Sequence, residues 1–572
     1  MAFPSRANPP SWFAPWRQDR PADARLLDDV VAAVIVTLLL IPQSLAYAVL
    51  AGVPAHLGLY ASIFPLLAYA AFGRSPVLAV GPVALTSIMT LDALQGYAVP
   101  GSPEWIAAAT FLALASGALL FAMGALRLGF LAQLLSHPVM SGFVSGTAIL
   151  IVLGQLKTLT GIPVEGQTAP ELIQSFLQGL GQFELVTIVT GVTSLLLIAL
   201  GRRFIRPWLT RQPIPTATAE LLARAVPLVV VGLATAVLMV SGMASETRTV
   251  GTIPSGLPSI GLPAIDIQGL QGLLLSAALI GLVGFIESVS MAQTMARRFK
   301  VPVDPDAELR GLGAANLASG VIGAFPVTGG LTRTVVNIEA GARSPVSSIL
   351  SAGLLLVVLL GAGDLLHDMP LAALAALIIV AVSTLIDIKA FRHAWHFDRI
   401  DATSWLITFL GVLMLGLETG IVMGIVLSAS GILWRLSRPH IAVLGRIPGT
   451  EHFRNVHRHH VETLPHALFL RIDGNLFFGN WVRIREAIDA ALEAHPGTVS
   501  HLVLNLASVS DIDTTALEGM IRLQDDLQAD GIGLCLAEIR GPVGDKLAGQ
   551  ALKVPIFLSS HDAFEALAGK PD

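Results

Sequence analysis

Charge is what this 572-residue chain has least of. Asp, Glu, Lys and Arg make up 13% of it, against about a quarter in an ordinary soluble domain. That shortage, with 53% hydrophobic residues and a mean hydropathy of +0.72, excludes a disordered chain and weighs against a soluble enzyme. Cysteine is nearly absent as well. The single Cys535 excludes an intrachain disulfide and any cysteine-built metal cluster. No excess of positive charge exists either, since the net charge is −5, so nothing points to nucleic acid. The first residues, 1–25, are polar and proline-rich, unlike a cleaved signal peptide. They read as a cytoplasmic N-terminal segment.

What is present is a series of apolar runs. Residues 1–440 hold 24 Lys/Arg and 23 Asp/Glu, whereas residues 441–572 hold 11 and 17. The front carries runs near the roughly 20 residues that cross a bilayer. Clear ones are Val30–Leu50, Trp105–Ala125, Leu185–Leu200, Leu221–Val240, Leu270–Met291, Val346–Leu360, Leu371–Leu385, Trp405–Leu417 and Ile421–Trp434. Stretches 54–72, 76–95, 128–155 and 307–342 are apolar but broken by Gly, Pro and small polar residues. Hydropathy alone gives twelve to fourteen spans. Basic clusters then fix the count. Those at Arg6–Arg25, Arg202–Arg211, Arg297–Arg310, Lys389–Arg399 and Arg435–Arg438 all fall on one side if the chain crosses fourteen times. The positive-inside rule makes that side cytoplasmic and puts both termini there. The expected fold is a polytopic α-helical membrane protein, with a transport domain at 26–438 in the cell membrane.

The tail has another rhythm. Short apolar runs at Ala467–Ile472, Leu502–Leu506 and Gly533–Leu536 alternate with amphipathic stretches at Trp481–Leu492 and Leu517–Leu527. This predicts a small cytoplasmic α/β domain at 464–572, joined by a linker at 439–463. His457, His459 and His460 lie in that linker without acid or cysteine spacing, so no metal site is expected.

Two interrupted segments locate a candidate site. Ala79-Val-Gly-Pro-Val-Ala-Leu-Thr-Ser-Ile-Met-Thr90 and Gly323-Ala-Phe-Pro-Val-Thr-Gly-Gly-Leu-Thr-Arg-Thr334 share Pro-Val at an offset of 244 residues. The same offset carries Gln43-Ser44 onto Glu287-Ser288. Matched interrupted helices are the mark of an inverted-repeat transporter. A helix starting at Pro82 or Pro326 within the membrane aims unpaired N–H groups at its centre. Two such ends facing each other make an anion site. The expected donors are Val83, Ala84 and Leu85 on one side and Leu331, Thr332 and Arg333 on the other, with Gly330 beside them in the expected substrate site. Each segment alone reads as close helix packing; the matched pair reads as a site. Glu287 and Arg333 are charges inside spans and therefore functional candidates, with a structural Glu–Arg pair as the alternative. Arg333 supplies positive potential. Glu287 exchanges a proton, because a bound anion beside it favours its neutral form. Gln43 and Tyr47, four apart on the first span, share one face and complete the expected substrate site, with core packing the alternative for Tyr47.

Ile41-Pro-Gln-Ser-Leu-Ala-Tyr-Ala-Val-Leu-Ala-Gly-Val-Pro54 and Gly58-Leu-Tyr60 resemble the signature of the sulfate permease (SulP) family. So do Val80-Gly-Pro-Val83, Glu308-Leu-Arg-Gly-Leu-Gly-Ala-Ala-Asn316 and Phe325-Pro-Val-Thr-Gly-Gly-Leu-Thr-Arg-Thr-Val-Val-Asn337. The resemblance, covering about 25–565, implies a seven-plus-seven inverted repeat with core and gate domains. It also implies an anion held between the third and tenth spans, an elevator-like movement and a homodimer. By resemblance Arg333 matches the tenth-span arginine and Gln43 the first-span glutamine, while Ser44 replaces a frequent glycine. Glu287 is similar to the eighth-span acid of proton-coupled plant sulfate transporters, and some bicarbonate members use an acid there for sodium. Leu502–Leu517 resembles a STAS domain, whose partner stays unassigned. Thr515 sits where bacterial antagonists carry a phosphorylatable serine, and Thr515-Ala-Leu-Glu518 also reads as a capping box; Ala516 replacing the usual glycine favours capping.

The expectation is a secondary active transporter of a small oxyanion, sulfate with protons leading. Sodium-coupled bicarbonate and proton-coupled dicarboxylate transport are its rivals. A passive anion exchanger or channel, or a membrane sensor, is the alternative from another class. A nucleobase permease is disfavoured by Arg333 and the tail. No nucleophile–base pair or phosphate-cradling Gly-Lys motif marks an enzyme. No cofactor is expected beyond the co-transported ion, a proton or else sodium.

Overall fold

The computed structural model describes residues 26–133, 136–209, 211, 216–254, 256–258, 261, 271–299, 303–361 and 363–569. The N-terminal segment 1–25 lies outside the described residues. The chain forms two compact units, 1–428 and 429–572.

Fourteen principal helices make up the membrane part among the described residues. They are α1 (Leu26–Leu50), α2 (His56–Phe72), α3 (Ala84–Leu94), α4 (Pro103–Ala125), α5 (His137–Thr160), α6 (Leu185–Leu200) and α7 (Thr216–Ser241). The second seven are α8 (Leu274–Phe299), α9 (Pro305–Val321), α10 (Leu331–Glu339), α11 (Val346–Gly361), α12 (Leu371–Val382), α13 (Arg399–Leu415) and α14 (Leu417–Leu436). Seven helices among the described residues are long and apolar enough to cross a membrane on their own. This is a multi-pass membrane protein.

α3 and α10 are half-length, and both follow extended chain. That chain forms a two-stranded antiparallel sheet, β1 (Val80–Gly81) against β2 (Thr328–Gly329), with Val80 opposite Gly329 and Gly81 opposite Thr328. Backbone polar groups away from water need partners inside the protein. Side chains supply them here. The Asn316 carboxamide accepts from Val327 N at 2.9 Å and donates to Val327 O at 2.8 Å. Ser319 donates to Phe325 O at 2.6 Å, Asn337 to Val77 O at 3.0 Å, and Thr334 Oγ1 accepts from Ala79 N at 3.1 Å.

Two packing groups emerge within the helical unit. In the first, α9 packs on α2 and α4, α1 and α2 on α11, and α8 on α4. In the second, α5 packs on α12 and α13, and α6 on α7 and α12. α1 touches the second group through α7 and α12. Small residues permit the close crossings: a Cβ on Gly58 would lie 1.9 Å from Ser44 O, and one on Gly117 would lie 2.6 Å from Leu317 N.

The second unit is a six-stranded sheet in the order β4-β3-β5-β6-β7-β8. The strands are β3 (His440–Arg446), β4 (Phe453–Asn455), β5 (Ala467–Asp473), β6 (His501–Asn505), β7 (Gly533–Ala537) and β8 (Ile556–Phe557). β3 runs antiparallel to β4 and β5, and β5 to β8 are parallel. α15 (Trp481–Glu493), α16 (Thr514–Ala529), α17 (Gly541–Leu547) and α18 (Ser560–Ala568) accompany it. Leu468, Leu502 and Leu534 share one register row and one core, while Phe469, Val503 and Cys535 share the next row and the other.

The stretch 439–463 is not a bare linker, because β3 and β4 lie within it and extend the sheet. Their alternation is hidden by a Pro-Gly turn and a histidine-rich segment. Thr515 is not a cap: α16 is capped by Asp513, whose carboxylate accepts from Ala516 N at 2.8 Å. A carboxylate also complements the helix dipole, so the cap falls two residues earlier and Thr515 lies exposed in the first turn.

Candidate functional site

The two half-helices set up the site. Val83 is the N-cap residue of α3, in extended conformation, and Gly330 that of α10. The helices therefore start at Ala84 and Leu331, two and five residues after Pro82 and Pro326. The prolines do not occupy the first turn. Pro82 follows β1 and is separated from α3 by the Val83 cap alone, whereas the extra residues after Pro326 build β2 and the Gly330 cap. The first-turn N–H groups without intrahelical partners belong to Ala84, Leu85 and Thr86 on one side and Leu331, Thr332 and Arg333 on the other. Val83 closes the first turn with its carbonyl, which accepts from Ser87 N at 3.0 Å. The proline places the helix start too early in the chain, and so leaves out Thr86.

These ends face a cavity of about 40 Å³, lined by Gln43, Tyr47, Val83, Ala84, Leu85, Glu287, Gly330 and Arg333, with Ala381, Val382 and Leu385. At about 10–15 Å³ for one water, it has room for roughly three waters, the scale of a compact anion. The expected residues from four separate stretches thus meet in one place. Ala381 and Val382 end α12 and Leu385 lies in the single 3-10 turn that follows it; sequence reasoning missed all three, since the end of an apolar span carries no chemical signal. Leu331 and Thr332 open α10 at the same end.

Arg333 is 3% exposed. Its Nη2 donates to Ser44 Oγ at 3.4 Å, and Ser44 shares a 2.6 Å hydrogen bond with Ser62. Its Nε and Nη1 have no partner among the described residues. Oε2 of Glu287 is likewise buried and unpartnered. No ion pair joins the two among the described residues, so the structural-pair alternative fails. Tyr47, Glu287 and Arg333 all line the same cavity. A buried cation with free donors is costly unless a counter-charge arrives. Ser288, one residue past Glu287, accepts from Gly329 N at 3.0 Å and bonds Thr328 Oγ1 at 2.9 Å, tying α8 to β2.

The chain matches the sulfate permease family over residues 26–408 and the STAS domain over residues 459–563. It belongs to the sulfate permease family. A probable sulfate transporter of Mycobacterium tuberculosis (strain ATCC 25618 / H37Rv) is 33% identical over 531 residues, 92% of each chain. The chloroplastic sulfate transporter 4.1 of Arabidopsis thaliana is 33% identical over 555 residues, covering 94% of this chain and 79% of that one. The fold is similar to that of murine solute carrier 26 family member A9, an anion transporter in its inward-facing state. There the TM-score is 0.86 at 21% identity, covering 97% of this chain and 93% of that one. The transmembrane domain of a cyanobacterial bicarbonate transporter is also similar, with a TM-score of 0.58 at 24% identity, over 72% of this chain and 98% of that one. This family member is a membrane anion transporter and not an enzyme, and its C-terminal unit is a STAS domain.

Proposed function

We propose that the protein couples uptake of a compact oxyanion, sulfate first, to protons by alternating access. The observation that carries this is the buried Arg333 guanidinium, with two donor atoms unpartnered, opening on the same cavity as an unpartnered Glu287 carboxylate. The anion sits between the ends of α3 and α10, held by the N–H groups of Ala84, Leu85, Thr86, Leu331, Thr332 and Arg333. Gln43 and Tyr47 flank it, with Val83 and Gly330 as the capping residues beside it. Glu287 takes up the coupling proton; no cofactor enters. Sulfate is favoured by the two relatives at 33% identity.

Movement of the first packing group against the second completes the reading. The strand pair ties α3 and α10 into one block, while Ala381, Val382 and Leu385 of the other group close the cavity. Sliding that block carries the site from one face to the other. The termini lie in the cytoplasm, the protein resides in the cell membrane, and it works as a homodimer.

The test is purified protein in liposomes with sulfate, bicarbonate, nitrate, oxalate and fumarate, each with and without an imposed pH or sodium gradient. Uphill sulfate uptake driven by the pH gradient is expected. Purely downhill flux removes the coupling, and drive by sodium alone moves Glu287 from proton to sodium chemistry.

A further inference from the structure

Between α12, which ends at Val382, and α13, which begins at Arg399, lies a ten-residue helix, Ile388–Phe397. Connectivity alone places it at one face of the membrane. Asp387 caps its start by accepting from Ala390 N at 3.0 Å, and Asp398 starts α13 by accepting from Ile400 N at 2.8 Å. Asp387 and Asp398 thus serve as caps, and Asp401 lies in the first turn of α13.

One side of the helix is fixed to the protein. Ala394 is buried, and the Phe391 ring lies 4.9 Å from Trp405 of α13, which in turn stacks 4.9 Å from Phe409. The backbone N of Asp387 donates to Ser145 Oγ of α5 at 3.0 Å. The helix is thus docked on α5 and α13, both in the second packing group.

The remaining surface has a mixed character that water does not explain. Ile388 is 55% exposed and Trp395 48% exposed, one above the other at a spacing of seven. Arg392 lies between them at a spacing of four, and Lys389 and His396 continue on the adjoining side. Phe397 is 85% exposed, with its ring stacked on His393. Lys389, Arg392 and Arg399 are exposed and form no ion pair among the described residues. Tryptophan and aliphatic side chains beside free basic ones suit the headgroup layer. There the apolar groups enter the acyl boundary and the basic stems reach back to phosphates.

We propose that Ile388–Phe397 lies in the headgroup layer and binds anionic phospholipid through Lys389 and Arg392. Ile388 and Trp395 are its anchors in the acyl region. The proposal needs only the membrane-spanning reading of the chain and not the assignment of the anion site. Because the helix is docked on α5 and α13, bound lipid holds the second packing group at a fixed depth.

The test uses the full chain in vesicles and reads no transport. Tryptophan emission is recorded in phosphatidylcholine brominated on the acyl chain, for the wild type and for Trp395→Phe. A quenched contribution from Trp395 is expected; identical quenching of the two proteins overturns the proposal, as does a face covered by protein or by a second copy. Retention of phosphatidylglycerol over phosphatidylcholine is then measured for Lys389→Gln with Arg392→Gln. A loss of about fivefold per basic residue is expected, and an unchanged ratio overturns the anionic preference. The charge-preserving pair Lys389→Arg with Arg392→Lys keeps the wild-type ratio; its loss there assigns the effect to shape and not to charge.

Discussion

Arg333 and Gly81 occupy one another's space: a Cβ on Gly81 would lie 2.0 Å from Nη1 of Arg333. The guanidinium crosses β1 at the one point where the strand has no side chain. Gly81 pairs with Thr328, so the strand cannot shift away without breaking the pair that ties the two half-helices. Gly81→Ala should therefore push Arg333 off the cavity while leaving the helices intact. Overpacking of this kind costs about 1–3 kcal/mol, which, set against binding, is roughly a five- to 160-fold loss of sulfate affinity. Isothermal titration in detergent measures it, with circular dichroism as the check on folding. An unaltered dissociation constant would contradict the placement of Arg333.

Removing the guanidinium itself is a stronger change. Truncating one partner of a buried charge interaction costs about 2–5 kcal/mol, so Arg333→Ala should weaken anion binding at least thirtyfold. Arg333→Lys should recover only part of it, because a single ammonium cannot reproduce the planar fork. Equal affinity of Lys and Arg variants would show that the site uses charge alone.

Glu287 separates driving from binding. With Gln in its place the cavity keeps its shape and Arg333 its donors, but no proton can be exchanged. Glu287→Gln should abolish pH-driven accumulation while sparing sulfate–sulfate exchange, read as isotope counterflow across liposomes at equal pH. Unchanged proton-driven uptake would remove Glu287 from the coupling.

The residues that could be read from the chain are those whose chemistry is out of place. Glu287 and Arg333 stand out because charge inside an apolar span demands a reason, and Pro82 and Pro326 because they interrupt one. Helix starts were less legible. Proline marks the end of a preceding conformation as readily as the start of a helix. Only the pairing of Val80 with Gly329, 249 positions apart in the chain, decides that α10 begins at Leu331. The α12 wall was invisible, since Ala381 and Val382 look like any lipid-facing pair until α12 packs on α1. In the STAS domain, alternation showed the central strands, whose two cores bury every second residue, but not β3, whose pairing is set by β5.

Asp473, at the end of β5, joins polar groups of β5 and of its neighbour β3. Arg471 holds it through Nε at 2.6 Å and Nη2 at 3.0 Å, and His440 Nδ1 lies 2.9 Å away. Partial burial pushes its carboxyl up, but the hydrogen bonds from Arg471 and His440 outweigh this and leave it below the usual carboxylate range. A depressed carboxylate contributes stability above its unfolded pKa of about 4 and loses it as pH falls through the lower folded value. Asp473→Asn should cost about 1 kcal/mol near neutrality, as a partly exposed bidentate pair does. The difference should shrink below about pH 4. Hydrogen exchange of residues 440–473 in the full chain at both pH values checks it; a gap that persists in acid would assign the loss to packing.

Cys535 turns the scarcity of thiols into a probe. It sits in the middle of β7, 3% exposed, packed with Phe469 and Phe564 on one face of the sheet. Burial pushes its thiol up from the ordinary value, so it holds little thiolate at neutral pH, and thiolate is the reactive form. Maleimide should label the native chain only when the sheet opens. The rate should be at least a hundredfold below that of the denatured chain, and labelling should follow the STAS unfolding transition in urea. As the chain holds one cysteine, no background variant is required. Fast labelling under native conditions would mean that β7 is not the protected centre of the sheet.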